Sequence, residues 1–380
     1  MDRNIFQEEH RIFRSAFQSF IKKDVLPHYD KWEEKRIVPR EFWLQMGSQG
    51  YLCPQLEEKY GGMGADFRYN IIINEELAKV AMGTLGVPLH NDIIAPYLQM
   101  YCNEAQKRQW LPKCASGKAI LAIAMTEPGA GSDLQSIKTT AIKDGDSYVL
   151  NGQKTFISNG ISADLVLVAC KTDPKAQPGY RGISLIMVER DTPGFIRGRQ
   201  LDKIGMHSQD TAELFFEECR VPAANLVGTE GEGFKYMMKK LPHERLVVAV
   251  GCQAAAEEML KETLEFTRVR SAFGKPIQEF QHTRFKLAEI ATEIELGRVF
   301  VDRLIDRVIQ GEDITVEGAM AKWWVSDMAN RVAYDCLQLH GGYGYMEEYK
   351  IARWYRDIRV ATIYAGSNEI MKEVIGRSLQ

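Results

Sequence analysis

Ser147-Tyr148-Val149-Leu150-Asn151-Gly152-Gln153-Lys154-Thr155-Phe156-Ile157-Ser158-Asn159-Gly160 decides the class of fold, because its texture differs from both flanks. The stretch reads as strand, and Asn151-Gly152 is a strong two-residue hairpin signal. Asp164 to Ala169, Gly182 to Val188 and Ala212 to Phe216 read as further short strands punctuated by Gly, Pro and Asp. Strands at this spacing predict a small barrel or sandwich. Upstream, Phe13, Phe17, Phe20 and Ile21 recur at helical spacing before Pro27, and Pro39 opens a helix through Phe42, Leu44 and Met46. Ile71 to Leu77 restarts a helix after Gly61-Gly62-Met63-Gly64, and Glu104 to Trp110 begins another. Downstream, long amphipathic segments cover about 233–270, 277–310, 314–340 and 367–377, with Pro242 expected to kink or restart the first.

The chain has 380 residues, 45% hydrophobic and 26% charged, which is ordinary for a soluble globular protein. A net charge of -3 without a polybasic run argues against nucleic-acid binding. Seven Cys and seven His are scattered with no metal-ligand spacing, so no metal site is expected. The opening Met1 to Phe6 lacks a signal-peptide core, and no apolar run is long enough to span a bilayer. The expectation is a soluble cytoplasmic protein with reduced thiols.

Four segments invite chemistry. Thr126-Glu127-Pro128-Gly129-Ala130-Gly131-Ser132-Asp133 offers backbone N–H groups and hydroxyls able to cradle a phosphate or a heteroaromatic edge. Phe156 and Ser158, two apart on a strand, share a face that could stack on and hydrogen-bond to a flat cofactor. His340-Gly341-Gly342-Tyr343-Gly344 breaks a helix with glycines that allow close approach of a ligand. Glu244, after Pro242 and before Leu246-Val247-Val248, is a carboxylate open to desolvation. Taken singly, these also fit a surface turn, a core Phe, a helix-ending loop and a solvated first-turn Glu.

Together, in this order, they resemble the acyl-CoA dehydrogenase family over nearly the whole chain. The resemblance runs through Met125 to Asp133, Gly152 to Gly160, Arg270-Ser271-Ala272-Phe273-Gly274-Lys275-Pro276 to Gln281, Gln338 to Tyr349, and Ile363-Tyr364-Ala365-Gly366-Ser367-Asn368-Glu369-Ile370. It implies a mainly α fold with a central β-barrel: a helical domain over 1–119, a barrel over 120–226 and a four-helix bundle over 227–380. It implies a homotetramer binding FAD. Met125, Thr126 and Ser132 would line the flavin and pyrophosphate, Phe156 would pack on the isoalloxazine, and Ser158 would bond near N5. Arg270, Phe273, Gln281, Gln338 and Gly342 would reach a neighbouring subunit's FAD, and Ser367 and Glu369 would complete the adenosine-diphosphate site.

Many family members carry the catalytic Glu where this chain has Ala365. The long-chain and isovaleryl branches place it instead in a stretch that Leu241 to Leu246 resembles, which makes Glu244 the implied base and Arg245 an orienting neighbour. The implied reaction is α-proton abstraction from an acyl thioester with hydride transfer to flavin N5, the carbonyl being polarised by the Ala365 N–H and a ribityl hydroxyl. Acyl-CoA is the expected substrate and an electron-transfer flavoprotein the expected acceptor. Oxidation of a prolyl thioester on a carrier protein, an acyl-CoA oxidase, and a catalytically silent flavin-binding protein are the other readings.

Overall fold

A computed structural model describes residues 3–80 and 84–380. Six helices come first: α1 (Glu8–Phe20), α2 (Leu26–Lys35), α3 (Arg40–Ser48), α4 (Phe67–Ala78), α5 (Ala95–Tyr101) and α6 (Glu104–Ala115). Two of them, α2 and α5, were hidden from the sequence reading by their prolines. Pro27 and Pro96 stand in the first turn of each helix, where a missing N–H is tolerated, so they open helices rather than close them. Asn103 and Gln106 cap α6 reciprocally at 2.8 and 2.9 Å, and Gln106 Nε2 also donates to the Ala224 and Leu226 carbonyls at 2.7 and 2.8 Å. That second pair ties α6 to the sheet.

Eight strands follow: β1 (Leu121–Ala124), β2 (Thr140–Asp144), β3 (Ser147–Ser158), β4 (Leu165–Lys171), β5 (Ile183–Glu189), β6 (Phe195–Gln200), β7 (Thr211–Pro222) and β8 (Leu226–Val227). Their order is β6-β7-β3-β2-β4-β5-β8, with β1 parallel to β4. The expected barrel is therefore a single sheet that does not close, since β6 and β8 end the path. The hairpin signal also needs correcting. β3 runs straight through Asn151-Gly152, where the register against β7 shifts, and the tight turn lies at Gly145-Asp146 between β2 and β3. Asn151 spends its side chain on Glu218 across the bulge (2.7 and 2.8 Å), and a Cβ on Gly152 would come within 2.6 Å of Thr139. β4 and β5 are buried on both faces, one against β3 and β7 and the other against α5 and α6, which explains their unbroken apolar runs.

Five helices complete the chain: α7 (Gly233–Val269), α8 (Gln281–Ile309), α9 (Thr315–His340), α10 (Lys350–Ile358) and α11 (Asn368–Ser378). Pro242 neither ends nor restarts α7, which continues through it as one helix. α10 was not anticipated, although Ile351, Trp354 and Ile358 make one buried face. Between α7 and α8, Ser271–Ala272 and Lys275–Pro276 pair across Phe273-Gly274, both left-handed, and Phe273 projects 96% exposed.

The N-terminal helices are locked to the bundle by charge. Glu75 of α4 is 1% exposed and meets Arg3 at 2.7 Å, Arg14 at 2.8 Å and Arg298 of α8 at 2.9 Å. Burial alone would raise its pKa, but the three guanidiniums hold the carboxyl well below the usual range. Glu75→Ala leaves these cations without their shared partner, and a loss of about 3–5 kcal/mol is expected in denaturant unfolding followed by Trp fluorescence.

Candidate active site

Glu244 lies well inside α7, not in a first turn, so no helix terminus acts on it. Its side chain is 6% exposed, and Tyr97 of α5 donates its phenol to Oε1 at 2.9 Å. Burial pushes the carboxyl up to about 7, against the Tyr97 hydrogen bond and the positive charges of Lys240 and Arg245, which favour ionisation. Arg245 is also buried; desolvation pulls its pKa down, Glu244 opposes this, and Nε has no hydrogen-bond partner among the described residues. His243 is driven down to about 4 by burial and then by Lys240, and its ring sits 4.4 Å from that of Phe67.

The turn before α11 comes next. Ala365 and Gly366 are left-handed, with φ of 53° and 89°. Lys322, buried on α9, pins this turn by donating to the Gly366 carbonyl at 2.6 Å and to Asn368 Oδ1 at 3.0 Å. Burial lowers Lys322 to about 8, and Arg245 is among the charges that depress it, so α7 and this turn both bear on Lys322. Among the described residues the Ala365 N–H has no hydrogen-bond acceptor. Ser367 precedes α11, and Glu369 is exposed in its first turn, its carboxyl lowered by its own N–H and by Ser367.

Met125 and Thr126 lie beside β3. Lys154 Nζ donates to the Met125 carbonyl at 2.9 Å and to Glu127 Oε1 at 2.8 Å, while the Thr155 N–H donates to the Thr126 carbonyl at 3.0 Å. Glu127 also accepts from the Lys138 and Thr139 amides at 2.6 and 2.9 Å. Burial opposes its ionisation, yet Lys154 and these donors keep its carboxyl below the usual range. Phe156, left-handed at φ 59°, stands 68% exposed, and Ser158 shares its less buried side while Thr155 and Ile157 point inward. Ser132 is exposed on the glycine loop.

Arg270, Gln338 and Gly342 come together in an open pocket of about 520 Å³ that Phe266, His340 and Tyr343 also line. The Arg270 guanidinium lies 5.3 Å from the Tyr343 ring centre. Phe273 and Gln281 lie outside this lining and are exposed. Within one chain the candidate cofactor residues thus fall into three groups, the loop and strand, the pocket and the α11 turn, with Phe273 and Gln281 apart from them between α7 and the start of α8. Tyr97, Glu127, Lys154 and Lys322 were missed. For Glu127 and Lys154, opposite charges inside two neighbouring motifs were the available signal; nothing local pairs Tyr97 with a residue 147 positions away.

Three domain families match: the acyl-CoA dehydrogenase N-terminal domain over residues 7–118, the middle domain over 122–219 and the C-terminal domain over 231–380. The long-chain specific acyl-CoA dehydrogenase of Sus scrofa mitochondria is 47% identical over 377 residues, covering 99% of this chain and 88% of the relative. The crystal structure of an acyl-CoA dehydrogenase from Geobacillus kaustophilus superposes with a TM-score of 0.99 at 60% identity, covering 100% of both chains. A prolyl acyl carrier protein oxidase structure superposes at 0.90 with 28% identity, covering 98% of this chain and 99% of its own. The chain belongs to the acyl-CoA dehydrogenase family. It is an FAD-dependent oxidoreductase acting on acyl-CoA.

The residues present suit FAD chemically. Phe156 is an exposed ring for a flat heterocycle, and the pocket offers a guanidinium, an amide and glycine backbone where a pyrophosphate needs donors. Glu127→Ala would strand the Lys154 ammonium and loosen Met125-Thr126 from β3. FAD retention on gel filtration, read by flavin absorbance, is expected to weaken roughly tenfold or more.

Proposed function

We propose that the protein oxidises an acyl-CoA thioester between the α and β carbons, with Glu244 as the base. The observation that carries this reading is a buried carboxylate on α7, pushed up to about 7 by burial and bonded by Tyr97, in a chain that has a methyl group at Ala365, the family's other base position. Glu244 takes the α-proton as the carbon–carbon double bond forms. Bound FAD supplies the acceptor for the hydride that leaves the β-carbon. Ala365 offers its unused amide to the thioester carbonyl, and one such donor is typically worth about 10²–10³ in rate. Arg245 orients the substrate and supports the ionised base. Met125, Thr126, Ser132, Phe156 and Ser158 would hold the flavin side of FAD. Arg270, Phe273, Gln281, Gln338 and Gly342 would serve a neighbouring subunit's cofactor, and Ser367 and Glu369 would lie at its adenosine-diphosphate part.

Val269, Phe273, Phe285, Leu296 and Val299 are exposed apolar side chains on or next to α8, which supports association with another subunit, as the proposed homotetramer requires. No helix among the described residues is long and apolar enough to cross a membrane; the proposed enzyme works in the cytoplasm and passes its electrons to an electron-transfer flavoprotein. Higher identity to the long-chain enzyme than to the prolyl carrier oxidase favours coenzyme A as the thiol.

Glu244→Gln is expected to keep its yellow FAD and lose about 10²–10⁴ in turnover; near-normal activity would remove Glu244 from the mechanism. An anaerobic flavin-bleaching series across acyl-CoAs of graded length, with a prolyl carrier protein alongside, reads the substrate directly. Bleaching by the carrier thioester alone would reassign the enzyme. Leu296→Asp should shift the sedimenting species toward smaller assemblies.

A further inference from the structure

We infer that Tyr97 is a positioning residue for the base: its phenol anchors one oxygen of Glu244 and leaves the other free to receive a proton. This rests on Glu244 being the base. Tyr97 is fully buried on α5; its ring lies 6.1 Å from that of Tyr101, which stacks at 4.0 Å on Tyr236 of α7. The phenol thus sits in a packed contact between α5 and α7, where burial limits its alternatives to this bond.

The bond has a defined direction. Burial and then the neighbouring Glu244 charge raise the Tyr97 pKa well above its ordinary value, so the phenol keeps its proton and donates it to the carboxylate. Oε1 is occupied at 2.9 Å, and Oε2 accepts no hydrogen bond among the described residues. A carboxylate held this way presents one oxygen to a substrate C–H without rotating.

The other charged neighbours are accounted for. Lys240 and Arg245 on α7 favour ionisation of Glu244, and His243 on the same helix is held neutral beside Phe67 of α4. Asp92, in the 89–94 turn packed on α7, is raised to about 7 by burial and bonded by Asn70 of α4 at 2.6 Å. Glu75 and Glu76 of α4 are occupied by arginines, and Lys322 of α9 is committed to the Gly366 turn. Tyr97 is the hydrogen-bond donor that acts on the carboxylate itself.

The sign follows from chemistry. The base works only when ionised, and a donor to its ionised form lowers its pKa. Tyr97→Phe should therefore move the acidic limb of kcat/KM against pH upward by about one unit. That is roughly a tenfold loss at pH 6 that recovers by pH 9. Site-specific 3-fluorotyrosine at 97, a stronger donor of nearly the same shape, should move the limb downward and guards against misfolding of the Phe variant. Infrared difference titration of the holoenzyme, assigning the carboxyl band lost in Glu244→Gln, should show the same two shifts without turnover. A pH-independent loss in Tyr97→Phe with no movement of that band would overturn the anchor while leaving the base intact. Full activity in Glu244→Gln would instead remove the base reading itself.

Discussion

Burial of the middle of α7 is the constraint on which the rest of the molecule turns. From Glu244 to Ala256 every residue of this helix is buried, packed within a core shared with α4, α8, α9 and α10. A helix enclosed on all sides gives an ionisable group no bulk water, so each polar atom on it needs a protein partner or a shifted pKa. Asn74 of α4 meets this need for backbone by donating to the Val247 carbonyl at 2.9 Å. Glu244 meets it by both routes, with one hydrogen bond from Tyr97 and a carboxyl raised to about 7. The same enclosure that makes α7 a structural axis raises the proton affinity of its one carboxylate in this stretch, which is what the proposed base role needs.

Two other buried carboxylates, Glu75 and Glu127, are held differently, and the contrast separates clamps from groups poised to exchange a proton. Glu75 is saturated by three arginines and stays ionised. Glu127 has a lysine and two backbone amides, again enough to keep its charge. Both groups are spent on holding segments together: the N-terminal helices on the bundle in one case, Met125-Thr126 against β3 in the other. Glu244 receives one neutral donor and two cations that make no hydrogen bond to it, so its proton affinity stays near neutrality. Full satisfaction makes a clamp, and partial satisfaction leaves a group that can exchange a proton.

This difference explains what sequence could and could not reveal. Doubly buried strands announced themselves in Leu165 to Cys170, and the long helices of the bundle appeared at close to their observed extents. Local punctuation misled where tertiary packing overrode it. Asn151-Gly152 serves as a bulge because β3 has to pair on through it with β7, and Pro242 is carried inside α7 by its packing. A Cβ on Gly318 of α9 would lie 2.9 Å from the Pro242 carbonyl, so that neighbour fits closely against the proline turn. Glu244 stands out as a candidate base only through a missing carboxylate at Ala365 and a family precedent. Tyr97 was not legible at all, since a hydrogen bond between α5 and α7 leaves no local pattern.

Two base positions within one family make physical sense when the segments carrying them converge. Here Lys322 marks the convergence: its ammonium holds the Gly366 carbonyl while the Arg245 charge bears on it from α7. The turn keeps Ala365 left-handed and its N–H unused, a conformation that costs a non-glycine residue about 1 kcal/mol or more. With a methyl group there, the turn contributes backbone alone, and in the proposed mechanism the acid–base function falls to α7. The hydrogen bond and charges that bear on Glu244, from Tyr97, Lys240 and Arg245, come from α5 and α7, so a rigid amide donor at Ala365 and the carboxylate draw on different contacts.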